Sequence, residues 1–224
     1  MIRMEHNEEK WIFPFVKYSL SEVNPKSPLI IQLHGAGEGG RGKEELKKVE
    51  VNGFSKYLET INEDCVVVMP QCPNETFWVA RIESLISFIE QVIKEYDIDE
   101  DRVYLTGNSM GGYGTWEFAI LRPGWFAAIM PICGGGLPGM AKRLLGLPIR
   151  TFHGLRDKTV DPIESLQMVK AVNMAGSRAE LILYPELGHN SWDAAYTDES
   201  NYDWMFSFTN ERDVKPEFSS KDEN

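Results

Sequence analysis

A doubly wound, mainly parallel α/β sheet with helices on both faces accounts for this sequence, and three features lead to it. Six short runs are apolar on both faces, as strands buried between two helical layers must be. Helical patterns separate these runs at the spacing of strand–helix–strand units. The chain has 224 residues, 42% of them hydrophobic and 25% charged, which suits one domain with a sizeable core.

The elements follow in order. WIFPFVKYSL, residues 11–20, reads as an antiparallel edge strand added to the parallel set. Pro28 to Gly35 (PLIIQLHG) is a continuous apolar strand that ends in a glycine loop, and Cys65 to Gln71 (CVVVMPQ) is a second, stopped by Pro70. Arg102 to Thr106, Phe126 to Ile132, Pro148 to Gly154 and Ala179 to Pro185 complete the set. Between them, Ala80 to Tyr96 carries Ile82, Leu85, Ile86, Ile89 and Ile93 on one helical stripe. A helix of twelve residues starts at Gly111. Pro162 to Ala175 reads as a helix with Asp161 as N-cap, Pro162 in the first position and Gly176 beyond its end. The whole of 1–224 is expected to be one domain, with DVKPEFSSKDEN, residues 213–224, as a frayed polar tail.

Charge and composition narrow the partners. A net charge of −11 argues against a nucleic-acid backbone or an anionic membrane as ligand. No apolar run approaches the roughly 18 residues that a membrane helix needs, and the N-terminus lacks a secretory pattern. Cys65, Cys72 and Cys133 lie in or beside apolar runs, without zinc spacing or a CxxC motif. They fit buried free thiols and a cytoplasmic setting, with neither metal nor cofactor expected. The oligomeric state stays open, a homodimer being one option.

RVYLTGNSMGGYGTWEFA, residues 102–119, places Gly107-Asn108-Ser109-Met110-Gly111 between a strand and a helix. A strand that turns at once into a helix holds its turn residue clear of the backbone, and the glycines two before and two after remove Cβ atoms that would collide with the turn. This is the G-x-S-x-G pattern of a nucleophile elbow. The helix behind it aims free N–H groups and the positive end of its dipole at the same spot.

A serine hydroxyl needs a base, usually an imidazole oriented by a carboxylate. Of four histidines, His6 lies in a polar segment and reads as solvated, while His34 and His153 precede glycines at strand ends and read as structural. His189, the last histidine after the last strand, is the base expected. Between Ser109 and His189, the loop HGLRDKTVDP offers Asp157 and Asp161. Asp157 comes first after the strand and is chosen as the acid, because helix capping explains Asp161. The backbone N–H of Met110 is the expected first oxyanion donor, and Ala36 in the loop HGAGEGG the second, with Gly35 and Gly37 as alternatives. That loop has neither the Lys-Ser/Thr of a P-loop nor a GxGxxG spacing, so a nucleotide site is not expected.

HGAGEGG, PQCP…FW, GNSMGGYGTW, HGLRDKTV and GHNSWDAAY, in that order from Pro28 to Trp204, resemble the α/β-hydrolase superfamily. Within it they resemble the small carboxylesterases related to dienelactone hydrolases, phospholipase/carboxylesterases and the predicted-peptidase relatives of prolyl oligopeptidase. The resemblance implies Ser109 as nucleophile, Asp157 as acid and His189 as base. Asn108 departs from the residue often found before the serine and is expected to adjust the pocket. Only 48 positions separate Ser109 from Asp157, so little or no lid is expected. Trp78, Trp116 and Trp192 are candidate walls, Trp192 the nearest to the site and Trp116 more in keeping with the core; Trp78 and Trp192, with Gly35, Gly37 and Asn108, form the expected substrate contacts. The leading reading is an esterase of small, short-chain esters. Its competitors are a serine peptidase or amidase, an acetyl or feruloyl esterase of plant polysaccharide fragments and, last, a binding protein on this scaffold.

Overall fold

A computed structural model describes residues 1–19 and 26–210. The proposed tail at 213–224, and Leu20 at the end of the expected edge strand, lie outside the described residues. Among the described residues eight strands form one sheet: β1 (Ile2–His6), β2 (Phe15–Ser19), β3 (Leu29–Leu33), β4 (Val66–Pro70), β5 (Val103–Asn108), β6 (Ala128–Ile132), β7 (Ile149–Gly154) and β8 (Ala179–Tyr184). Their order is β1-β2-β4-β3-β5-β6-β7-β8. β1 and β2 run antiparallel to their neighbours, and the strands from β4 to β8 are parallel.

The continuous apolar runs are explained by two cores. Leu29, Ile31, Leu33, Val66 and Val68 face one layer, which holds α1 (Ile82–Glu95), α2 (Met110–Leu121) and α3 (Ile163–Met174). Ile30, Val67 and Met69 face the other, beneath α4 (Trp192–Thr197), α5 (Glu199–Phe206) and the 3₁₀ segments Lys43–Glu50 and Phe54–Thr60. Successive side chains on a strand point to opposite faces, so burial on both leaves no polar alternation to read. Asp161 Oδ1 accepts from Ile163 N at 2.9 Å at the start of α3, and Gly176 beyond its end has φ +96°, as a left-handed helix terminus requires.

Two expectations change. β2 is not the edge, because β1 pairs outside it. β1 escapes a pattern reading because four of its five residues are exposed and its hydrophobicity is low. His6, expected to be solvated, is buried and stacks on Phe15 at 4.4 Å, with Nε2 3.1 Å from the Tyr96 hydroxyl. Strand pairing, which the polar composition of this segment did not signal, brings His6 onto the core. All three cysteines are buried and free. Among the described residues no helix is long and apolar enough to cross a membrane.

Candidate active site

β5 ends at Asn108 and α2 begins at Met110, which leaves Ser109 alone on the turn with φ 55°, ψ −116°. A non-glycine residue pays about 1–3 kcal/mol for such a conformation, which persists only where its surroundings impose it. They do so here by close approach. The Ser109 N–H donates to Ile132 O at 3.0 Å, tying the turn to the end of β6. A Cβ on Gly107 would lie 2.5 Å from Gly111 O, and one on Gly111 only 1.9 Å from Leu33 O of the neighbouring strand. Both obstacles are backbone and cannot rotate away. Gly111→Ala is therefore expected to cost more than about 4 kcal/mol and to leave little folded protein in a thermal melt. Gly37→Ala, where an added Cβ meets nothing within 4 Å, should shift the melting temperature by only about 1–2 °C.

His189 follows β8 and precedes α4. Its Nε2 lies 2.9 Å from Ser109 Oγ and its Nδ1 2.7 Å from Asp157 Oδ2. Trp192 meets the imidazole edge-on, with ring centroids 5.5 Å apart. Asp157 follows β7, and its side chain is fully buried. Oδ1 accepts from the N–H groups of Thr159 at 2.8 Å and Val160 at 3.0 Å, and Oδ2 accepts from His189. Burial alone would raise this carboxyl. The hydrogen bonds from His189, Val160 and Thr159 outweigh it and hold the group below the usual carboxylate range. The loops carrying Asp157 and His189 are joined: Arg156 N donates to Leu187 O at 2.9 Å, Leu155 N to Tyr184 O at 2.9 Å, and a Cβ on Gly154 would lie 2.2 Å from Gly188 O.

The loop after β3 is braced from beneath. The buried Glu38 carboxylate accepts from Gly35 N at 2.9 Å. His34 Nδ1 donates to Gly35 O at 2.6 Å, and Nε2 accepts from Cys72 N at 2.9 Å. Burial lowers the His34 ring to about 4, so it stays neutral with one nitrogen donating and the other accepting. Gln71 Nε2 donates to Glu38 O at 3.1 Å, and Gly40 N to Cys72 O at 3.0 Å. The PQCP segment thus serves as the splint of the glycine loop.

An open apolar cleft of about 500 Å³ is lined by Ala36, Phe77, Val79, Ala80, Met110 and Tyr113, so the residue next to Ser109 forms part of its wall. Sequence reasoning missed Phe77, Val79 and Tyr113. Tyr113 had a signal, since it stands four residues after Ser109 and so on the same face of the helix that follows. Trp78, expected as a wall, is fully buried under the loop and donates Nε1–H to His34 O at 3.0 Å; its neighbours on either side reach the cleft instead. Trp116 is in the core. Asn108, expected to shape the pocket, is buried, and its Oδ1 accepts from Gln32 Nε2 at 3.0 Å. Gly35 is buried and Gly37 exposed. Between Ser109 and Asp157 the chain is spent on α2, β6, the 3₁₀ segment Pro138–Leu144 and β7.

Cys133 at the end of β6 has φ 40° and is buried; burial pushes its thiol up to about 12. Its sulfur and ligand atoms of Asp157 and His189 lie within 4.8 Å of one another. As a cation site this set is poor. The thiol is held protonated, and Asp157 and His189 spend their facing atoms on each other.

No protein-family model matches the chain. It is 31% identical over 157 residues to the bifunctional acetylxylan esterase/xylanase XynS20E of Neocallimastix patriciarum, a match spanning 64% of this chain and 21% of that protein. A thermostable esterase structure superposes with a TM-score of 0.78 at 29% identity, over 93% of this chain and 63% of that one. Est1E from Butyrivibrio proteoclasticus superposes with a TM-score of 0.65 at 16% identity, over 92% of this chain and 98% of that one. The chain therefore spans about a fifth of that curated relative and less than two thirds of the thermostable esterase. With a mostly parallel eight-stranded sheet among the described residues, helices on both faces and a serine on the turn after its central strand, the chain has the α/β-hydrolase fold.

Proposed function

We propose that the protein is a serine hydrolase that cleaves small carboxylic esters through Ser109, His189 and Asp157. The observation that carries this is the unbroken chain of hydrogen bonds from Ser109 Oγ through both imidazole nitrogens to a buried carboxylate, 2.9 and 2.7 Å long. As Ser109 Oγ bonds to the ester carbonyl carbon, its proton passes to His189 Nε2. The C–OR bond then breaks, and the departing alkoxide takes that proton. A water attacks the acyl-serine with His189 again as base, which releases the acid and restores Ser109. Asp157 stays ionised throughout, fixes the Nδ1–H tautomer and stabilises the transient imidazolium.

The negative oxygen formed on attack is met by backbone N–H groups. Met110, first in α2, has no partner within its helix. Gly35 donates to Glu38, which favours Ala36, with Gly37 as the alternative. The apolar part of the substrate lies against Phe77, Val79 and Tyr113. Because this cleft is open, a long acyl chain stays in water, and each exposed CH₂ forgoes about 0.8 kcal/mol. Acetyl to butyryl p-nitrophenyl esters are therefore expected to exceed palmitoyl esters in kcat/KM by more than about tenfold. An acyl-chain series measured below and above the micelle point checks this. A rate jump at the lipid interface, or a preference for chains beyond about ten carbons, would defeat the short-chain reading.

A second reading is favoured by one comparison. The relative at 31% identity is named in part as an acetylxylan esterase, so acetylated plant polysaccharide fragments are a proposed natural substrate. Acetate release from acetylated xylo-oligosaccharides, set beside p-nitrophenyl acetate and an anilide, separates this from a general esterase and from an amidase.

A further inference from the structure

Asp157 receives a second imidazole. His153, on β7, has a fully buried side chain. Its Nε2 lies 3.1 Å from Asp157 Oδ2 and 3.0 Å from Val160 O. A carboxylate and a carbonyl only accept, so Nε2 carries a hydrogen. Nδ1 lies 2.8 Å from Ser165 Oγ, which is itself 2.8 Å from Gly134 O. The serine has one hydroxyl hydrogen. Turned toward Nδ1, it leaves His153 neutral; turned toward Gly134 O, it requires a hydrogen on Nδ1 too, and the ring is a cation. In both arrangements His153 donates to Asp157.

We propose that His153 is a positioning residue that shares Asp157 Oδ2 with His189 and so keeps low the pH above which His189 acts as base. The proposal rests on the reading of Ser109, His189 and Asp157 as the reacting set. A carboxylate offers about four acceptor sites. Here two are filled by Thr159 and Val160 on Oδ1 and two by His189 and His153 on Oδ2. Each donor draws on the same charge, so what remains to stabilise an imidazolium at His189 is smaller than a carboxylate with one imidazole partner would supply. Removing the His153 hydrogen bond returns that charge to His189, and removing a cationic ring acts in the same direction. Other titratable groups around the pair are Cys133 just after β6, Tyr113 on α2, Glu164 on α3, Asp193 on α4, and Lys158 with the Arg156–Glu186 ion pair on the two loops. All are unchanged in the variants below, so a difference between variants reports His153.

Two measurements test this. In ¹⁵N-labelled wild-type protein, His153 Nε2 is expected to stay protonated throughout the pH range of folding; an unprotonated Nε2 at neutral pH would overturn the proposal without recourse to any variant or substrate. In His153→Leu, the acid limb of the kcat/KM profile should move up by about one pH unit. In His153→Gln, whose neutral amide can donate from the place of Nε2, it should stay within about 0.3 unit of wild type when the ¹⁵N spectrum shows a neutral His153, and move up when it shows a cation. A His153→Leu enzyme that loses turnover with an unmoved acid limb would show a structural role only. If His153→Leu fails to fold, a His153→Gln limb that departs from the value matching the ring state seen in the ¹⁵N spectrum (shifted by about one unit with a neutral ring, unmoved with a cationic one) decides against the proposal. Ester turnover that survives Ser109→Ala would instead sink the functional reading and leave the His153 tautomer measurement standing.

Discussion

Replacing Ser109 by alanine is expected to lower kcat on a short p-nitrophenyl ester by about 10⁴- to 10⁶-fold and to leave the fold in place. The fold should survive because the turn does not depend on the hydroxyl. The elbow is held by the Ser109 N–H to Ile132 O and by the close approach of Gly107 and Gly111 to backbone. Alanine keeps the same Cβ at the same φ, so the strain is unchanged. The Oγ has His189 Nε2 as its partner, at 2.9 Å. Steady-state turnover beside a thermal melt reads both halves. Near wild-type turnover in a folded Ser109→Ala protein would end the assignment of Ser109 as nucleophile.

Asp157→Asn is expected to cost about 10³- to 10⁴-fold in kcat, whereas Asp161→Asn should cost little. An asparagine has one acceptor oxygen where Asp157 uses two. Thr159 N and Val160 N both donate to Oδ1, so the amide oxygen is retained there. The NH₂ then faces His189 Nδ1 and compels it to accept, which moves the ring hydrogen to Nε2. An Nε2–H cannot take the Ser109 proton. Asp161 is exposed, and its Oδ1 accepts from Ile163 N, a bond that the asparagine oxygen also makes. The opposite ranking in kcat would show that the wrong carboxylate was chosen.

How much of this was legible depends on what each signal encodes. Strand–helix alternation and the glycine spacing around Ser109 are local, and the structure places both where the sequence predicts them. That Ser109, Asp157 and His189 stand beyond the carboxyl ends of β5, β7 and β8 follows from the general rule for open α/β sheets, and the structure brings the three together. Non-local contacts were not legible. β1 owes its existence to pairing with β2 rather than to its own polar composition. Trp78 reads as a wall because tryptophan is large, yet its indole N–H finds His34 O inside the protein, while Phe77 and Val79 beside it are exposed. His153 reads as structural from its glycine neighbour, but the turn of the next four residues returns Asp157 to its Nε2.

The joining of the loops after β7 and β8 has a mechanical meaning. Gly154 pressed against Gly188, and the Arg156–Leu187 and Leu155–Tyr184 bonds, make the loops of Asp157 and His189 one body at the end of the sheet where β8 is the edge. Ser109 belongs to another, anchored between β3 and β6. Thermal breathing of β7 and β8 would carry Asp157 and His189 together and be felt at the 2.9 Å gap between His189 Nε2 and Ser109 Oγ. Such motion would preserve the orientation of His189 against Asp157 and vary its distance to Ser109. Cooling, or rigidifying β7 and β8, would narrow the spread of that distance without touching Ser109, Asp157 or His189.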